Sequence, residues 1–172
     1  MPVIMGIDPS LTSTGLVVLS NSEVISSETI EVKEKGIARL LRLQDILSDR
    51  LTNFAADLVV IEGYAFARAN QAHQMGELGG MIRMLLTTMR VSWIEVAPTQ
   101  VKKFATGKGN AAKDLILMNV YKRWGVEFES NDIADAYVLA RIGLAVLGDI
   151  KGLTQDQVKI IKAIRQKKDA AA

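Results

Sequence analysis

The chain has 172 residues, a formal net charge of +2 and 49% hydrophobic residues. This length suits one ordinary domain, and no stretch approaches the roughly 18 consecutive apolar residues of a membrane span. Since cysteine is absent, a disulfide framework, a thiolate nucleophile and a cysteine zinc cluster are excluded. The first residues lack the pattern of a secretory leader, so the sequence predicts a soluble, cytoplasmic protein.

Three strands are predicted in the first 30 residues. Residues 2–8 form an apolar run typical of a buried strand, and residues 14–20 and 23–30 predict two more. A turn at Asn21 and Ser22 separates the second strand from the third, which predicts an antiparallel meander.

Helices and strands alternate after this meander. Apolar periodicity and β-branched runs predict a helix over 36–54, a strand over 58–61, a helix over 71–90 and a strand over 91–96. A helix beginning at Pro98 follows, and then two more helices, the second over about 131–147. This order predicts an α/β fold with a five-stranded mixed sheet, three antiparallel strands and then parallel strands, flanked by helices. We assign residues 1–148 to this domain and residues 149–172 to a C-terminal basic helix and tail that frays from Lys167.

Two carboxylates stand at the ends of predicted buried strands. Asp8 closes the first strand, where an unpaired buried charge is costly, although an aspartate before Pro9 also suits a simple turn cap. Glu62 ends the fourth strand and precedes Gly63, which permits the close approach of backbone or ligand. Two strand-end carboxylates indicate a shared site.

A second acidic pair lies in the first turn of the helix over about 131–147. Asp132 and Asp135 have helical i, i+3 spacing and project from one face. Complementing the helix dipole would also explain such residues, and for Asp132 the two explanations balance. Asp135 lies among apolar residues, so we expect its carboxylate to face a charged group.

Converging carboxylates repel one another unless protons or cations neutralise them. Mg²⁺ is the natural partner because it prefers oxygen ligands and retains waters that phosphate oxygens can replace. Two ions held roughly 3.5–4 Å apart can activate a water and stabilise a leaving oxygen. We therefore predict two Mg²⁺ ions, with Mn²⁺ as a substitute, and hydrolysis of a phosphodiester.

Four short motifs in order resemble the RuvC family of Holliday-junction resolvases, within the ribonuclease H-like superfamily. They are Gly6-Ile7-Asp8-Pro9-Ser10 with Thr14-Gly15, then Val60-Ile61-Glu62, then Thr99-Gln100-Val101-Lys102-Lys103 to Lys113, and Asp132-Ile133-Ala134-Asp135-Ala136. The resemblance implies a ribonuclease H-like sheet and a homodimer that resolves four-way junctions by paired symmetric nicks, encoded by a bacterium or its virus. It also implies catalytic, metal-binding carboxylates at Asp8, Glu62, Asp132 and Asp135, with a catalytic Lys113. Some relatives have histidine in place of Asp132, so the other three are the firmer members.

DNA contacts are predicted in two segments. The resemblance implies an aromatic side chain after Glu62 that wedges between bases near the crossover, and Tyr64 or Phe66 would supply it. Ordinary loop or core packing is the alternative explanation for either aromatic. Arg68 follows in the same segment and is a further predicted DNA contact. Four lysines surround a glycine-containing loop that leads into a helix, and a solvated charged helix face is the alternative explanation for them. They are Lys102, Lys103, Lys108 and Lys113.

The same residues leave other functions open. The loop around Gly107 and Gly109 lacks the Walker frame, so we expect no ATP binding there. An actin-like nucleotide-binding domain shares the strand order but needs two such domains. A branched-DNA nuclease of low junction specificity and a non-catalytic junction-binding protein are further alternatives. Small residues in the helix over 71–90 fit packing on the sheet or a homodimer interface.

Overall fold

Five strands form one mixed sheet in the part of the chain that the structure, a computed structural model, describes: residues 1–63, 71–148 and 150–171. The strands are β1 (Val3–Asp8), β2 (Ser13–Ser20), β3 (Glu23–Glu31), β4 (Leu58–Glu62) and β5 (Trp93–Val96). They are ordered β3-β2-β1-β4-β5, with β1, β2 and β3 antiparallel and with β4 and β5 parallel to β1. The predicted sheet is confirmed.

Helices cover both faces of this sheet. They are α1 (Gly36–Phe54), α2 (Ala72–Thr88), α3 (Pro98–Thr106), α4 (Lys113–Trp124), α5 (Asn131–Leu147) and α6 (Gln155–Ala171). Side chains alternate along each strand, so Ile4 of β1 packs on the face covered by α3, α4, α5 and α6. Met5 and Ile7 pack on the opposite face, against α1 and α2.

The turn between β2 and β3 has the predicted position. Asn21 and Ser22 have φ angles of 51° and 68°, and Ser20 pairs with Glu23 across them. Two consecutive residues with positive φ are typical of the turn that matches the twist of a two-residue hairpin. The antiparallel meander is therefore confirmed.

Two element ends differ from the prediction. The helix predicted over 71–90 ends at Thr88, and β5 begins at Trp93 instead of residue 91. Arg90 has a left-handed φ of 57°, and the Val91 N–H donates to the Leu86 carbonyl at 3.0 Å. Residues 89–92 therefore cap α2 and turn the chain before it enters the sheet.

The C-terminal helix also differs from the prediction. It is helical beyond Lys167, to Ala171, because lysine and alanine favour helix and no glycine or proline interrupts this end. The isoleucines at 160, 161 and 164 are buried in the same core as α3 and α5. In the ranges that the structure describes, no helix is both long and apolar enough to cross a membrane.

Candidate active site

The sheet brings Asp8 and Glu62 to one edge. Ile7 pairs with Ile61 across the parallel strands β1 and β4, and the two carboxylates are the next residues along each strand. The carboxyl ends of adjacent parallel strands are where α/β sheets commonly place ligand-binding residues. Asp8 is only 7% exposed.

Close contact between the sheet and α5 brings the other two carboxylates to this edge. A Cβ on Gly6 would lie 2.0 Å from the Ala136 carbonyl oxygen, and one on Gly15 would lie 2.1 Å from the Asp132 carbonyl oxygen. Only glycine fits at such distances. The first two turns of α5 therefore rest directly on the backbones of β1 and β2, so Asp132 and Asp135 reach the cleft beside Asp8.

A cleft of about 400 Å³ collects these side chains. It is bounded by the ends of β1 and β4, the loop after β1, the beginning of α2 and the first turns of α3, α4 and α5. Its lining residues are Asp8, Pro9, Ser10, Leu11, Thr12, Glu62, Gln71, Ala72, Met75, Pro98, Lys102, Lys113, Asp132 and Asp135. The structure therefore brings together all four carboxylates that the sequence singled out, with two lysines.

Burial and mutual repulsion disfavour ionisation in this cluster. Burial, followed by the charges of Glu62 and Asp135, raises the pKa of Asp8 well above its usual range. Burial also raises the pKa of Glu62, against the opposing effects of a hydrogen bond with Asp8 and the charges of Lys102 and Lys113. Without a cation, the Asp8 and Glu62 pair therefore retains a proton to a higher pH than free carboxyl groups do.

Asp135 is the third perturbed group. Burial, together with the charge of Glu62, raises its pKa to about 7, although Lys113 and Lys102 act in the opposite direction. Its Oδ1 atom is buried and has no hydrogen-bond partner among the residues described. A buried carboxylate oxygen without a hydrogen-bond donor is costly, so a proton or a bound cation would stabilise Asp135.

Asp132 has a different environment. It is partly exposed, and its Oδ2 atom accepts a hydrogen bond from the Ser13 hydroxyl. Its backbone N–H donates to the Ser130 hydroxyl at 3.2 Å, which caps α5. Asp132 is therefore oriented from β2, a contact that the sequence analysis missed because no local pattern connects residues 13 and 132.

These donors suit a hard divalent cation. All four side chains offer carboxylate oxygens, the ligands that Mg²⁺ and Mn²⁺ prefer. Across residues 1–63, 71–148 and 150–171, no three acidic or histidine side chains lie close enough to enclose a metal ion by themselves. A cation held here would therefore complete its coordination with water or ligand oxygens, as Mg²⁺ commonly does.

The structure separates the four predicted DNA-binding lysines. Lys102 and Lys113 line the cleft, whereas the Lys103 ammonium group lies 3.3 Å from Asp156 of α6. Lys108 is exposed in the loop after α3 and does not line the cleft. Neighbouring helical residues point about 100° apart, which is why Lys102 and Lys103 diverge.

Three further predicted DNA contacts, Tyr64, Phe66 and Arg68, lie outside the residues that the structure describes. These assignments stay predictions.

Arg39 of α1 is a second residue that the sequence analysis missed. Its Nη2 atom donates to the Ser10 carbonyl oxygen at 2.7 Å, so it anchors the loop that follows Asp8. Burial lowers the pKa of this guanidinium group. The helical periodicity placed Arg39 on a polar face and gave no sign of this contact.

The sheet order and the acidic strand ends define a ribonuclease H-like α/β protein. A family model described as Crossover junction endodeoxyribonuclease RuvC matches residues 4–142. The chain belongs to this RuvC family.

Individual relatives agree with this assignment. The Crossover junction endodeoxyribonuclease RuvC of Caldicellulosiruptor saccharolyticus is 31% identical over 147 residues, which cover 80% of this chain and 89% of the relative. The structure of Thermus thermophilus RuvC is similar with a TM-score of 0.71 at 26% identity, covering 88% of this chain and 99% of that one. A T. thermophilus RuvC structure in complex with Holliday junction substrate also has a TM-score of 0.71, at 24% identity, covering 81% and 91%.

Proposed function

We propose that this protein is a metal-dependent endonuclease that resolves four-way DNA junctions by paired, symmetric cleavage. Membership of the RuvC family supports the reaction and the substrate, and the T. thermophilus RuvC complex shows such a junction bound to a similar fold. The observation that carries the proposal is the cleft in which Asp8, Glu62 and Asp135 are held with raised pKa values.

Mg²⁺ is the proposed cofactor, with Mn²⁺ as a substitute and two ions at each site. Asp8, Glu62, Asp132 and Asp135 would hold these ions. When bound, they would activate a water and stabilise the leaving oxygen of the phosphodiester. The unpartnered Oδ1 of Asp135 supports this assignment, because cation binding would satisfy it.

Two lysines would bind and orient the DNA strand that is cut. Lys102 and Lys113 are the cations among the described lining residues of the cleft, and their charges act on Glu62 and Asp135. Their ammonium groups would attract the DNA backbone towards an otherwise repulsive acidic cluster. In the proposed reaction, Lys113 also stabilises the charge that develops on the attacked phosphate.

Paired cutting requires two active sites. A twofold homodimer supplies them with the symmetry of the junction. In support, Gly80 and Met84 are exposed one helical turn apart on α2, where a Cβ on Gly80 would meet no atom within 4 Å and Met84 is 60% exposed. This open face lets a second copy pack closely on α2.

A substrate panel tests the proposal. Purified full-length protein with Mg²⁺ or Mn²⁺ is incubated with labelled four-way junction, fork, flap and linear duplex DNA, and chelator provides the metal-free control. We expect symmetric nicks in opposite strands of the junction and slower cleavage of the other substrates. Equal cleavage of every branched substrate would indicate a nuclease of low junction specificity, and cleavage of none would refute the nuclease assignment.

A further inference from the structure

A second cavity, of about 300 Å³, lies among α3, α4, α5 and the segment that leads into α6. None of its lining residues lines the catalytic cleft. On α5, Arg141 of this cavity follows Asp135 of the cleft by six residues, which is about 9 Å along the helix axis. The cavity is therefore a separate feature of the molecule.

The charge of this cavity is entirely positive among its described lining residues. Arg123, Arg141 and Lys151 line it, and no aspartate or glutamate does. The side chains of Arg123 and Lys151 are exposed, and neither forms an ion pair with a described residue. Cations gathered in a concave site without a counter-charge attract anions.

Arg141 is held in place but not fully hydrogen-bonded. Its guanidinium carbon lies 5.4 Å from the ring centroid of Trp124 and 5.9 Å from that of Tyr137, and Nη1 donates to the Ser22 carbonyl oxygen at 3.4 Å. Its Nε atom is buried and has no partner in the part of the chain described. Because Arg141 lines the cavity and its guanidinium group can only donate, an oxyanion is the ligand chemistry that suits it.

Three hydrogen bonds of Gln157 hold the opposite wall of the cavity in place. Gln157 is 5% exposed, and its Oε1 atom accepts from the Thr154 N–H at 3.0 Å while the Gln157 N–H donates to the Thr154 hydroxyl at 3.3 Å. Its Nε2 atom donates to the Phe104 carbonyl oxygen at 3.0 Å. These bonds fix the start of α6 against α3, so the cavity is preformed.

We propose that this cavity binds a phosphate-bearing ligand at a site separate from the catalytic cleft. Three cationic groups, with no acid among the described lining residues, suit the charge of a phosphate better than the single charge of a carboxylate. A volume of about 300 Å³ accommodates anything from inorganic pyrophosphate to a mononucleotide. The phosphate comes either from a free phosphate compound or from the backbone of a DNA arm.

The test uses Trp124 as a reporter. The chain has two tryptophans, so Trp93→Phe leaves the one in this cavity. Metal-free protein is titrated with inorganic pyrophosphate, with succinate and with a short DNA duplex while tryptophan fluorescence is recorded. We expect a saturable change with pyrophosphate, with the duplex or with both.

Matched double variants assign the response to the cavity. Arg123→Gln with Lys151→Gln should weaken binding about tenfold, because each exposed charge contributes only a few-fold to the affinity. Lys159→Gln with Lys162→Gln makes the same change of charge on the exposed face of α6 and should leave the affinity within about twofold.

The two sources give different patterns, and both support the site. A response to the duplex that the cavity variant weakens identifies DNA phosphates, and a response to pyrophosphate alone identifies a free phosphate compound. Succinate binding as tightly as pyrophosphate would overturn the phosphate assignment. No saturable response, or one that the cavity variant leaves unchanged, would overturn the site.

Discussion

Replacing Asp135 by asparagine should stabilise the metal-free protein at alkaline pH. The pKa of Asp135 is raised from 3.8 to about 7, chiefly by burial. The folded state therefore binds this proton more tightly than the unfolded state does, and the free energy of unfolding falls as the pH rises from about 4 to about 7. Above this window the ionised carboxylate costs the folded protein about 4 kcal/mol, because each tenfold difference in proton affinity between the two states corresponds to about 1.4 kcal/mol.

Asparagine removes this cost because it does not ionise. Its amide nitrogen brings a buried donor that costs about 1 kcal/mol if it finds no acceptor, so the net stabilisation expected at pH 8 is about 3 kcal/mol. At pH 4, where Asp135 is largely protonated in the folded state, the difference should be below about 1 kcal/mol.

Urea unfolding of both proteins in the presence of a chelator, at pH 4 and pH 8, measures these differences. Mg²⁺ provides an internal control, since it should stabilise the wild-type protein at pH 8 more than Asp135→Asn. A variant that is less stable than the wild type at pH 8, or a difference that does not change with pH, would refute the reasoning.

Three further predictions follow from contacts around the cleft. Gly15→Ala forces a methyl group against the Asp132 carbonyl oxygen. In unfolding curves it should lower the free energy of unfolding by about 2 kcal/mol or more, and in a cleavage assay it should abolish junction cleavage. Ser13→Ala removes the hydroxyl that orients Asp132 and should slow cleavage about tenfold while costing only about 1 kcal/mol of stability, whereas Ser13→Thr should retain more of the rate. Lys102→Gln should weaken junction binding and reduce its salt dependence by about one phosphate contact. Lys103→Gln breaks only a half-exposed pair with α6 and should change binding little. Binding titrations at several salt concentrations compare the two variants, and equal effects would contradict the placement of Lys102 in the cleft.

Much of the fold could be predicted because its signals are local. The apolar runs of β1 and β4 and the turn at Asn21 and Ser22 appear in consecutive residues, and their order limits the sheet to few topologies. Asp8 and Glu62 could be placed at one edge for the same reason, since the carboxyl ends of adjacent parallel strands lie together.

The rest of the site depends on tertiary contacts that no local pattern encodes. The motif residues Gly6 and Gly15 were visible in the sequence, but their contact with α5 appears only once the helix lies on the sheet. Lys102 and Lys103 are chemically equivalent in sequence, and only the orientation of α3 distinguishes the one in the cleft. The basic cavity joins Arg123 and Lys151 across separate elements, so helical periodicity gave no sign of it.

Metal-dependent junction cleavage by Asp8→Asn, compared with the wild type, tests the central claim most directly. The matched control is Asp45→Asn, which neutralises an exposed aspartate of α1. With Mg²⁺, we expect symmetric junction nicks from the wild type and the control, and none from Asp8→Asn, while all three bind the junction with similar affinity. Cleavage by Asp8→Asn at the wild-type rate would contradict the assignment of the acidic cleft as the active site.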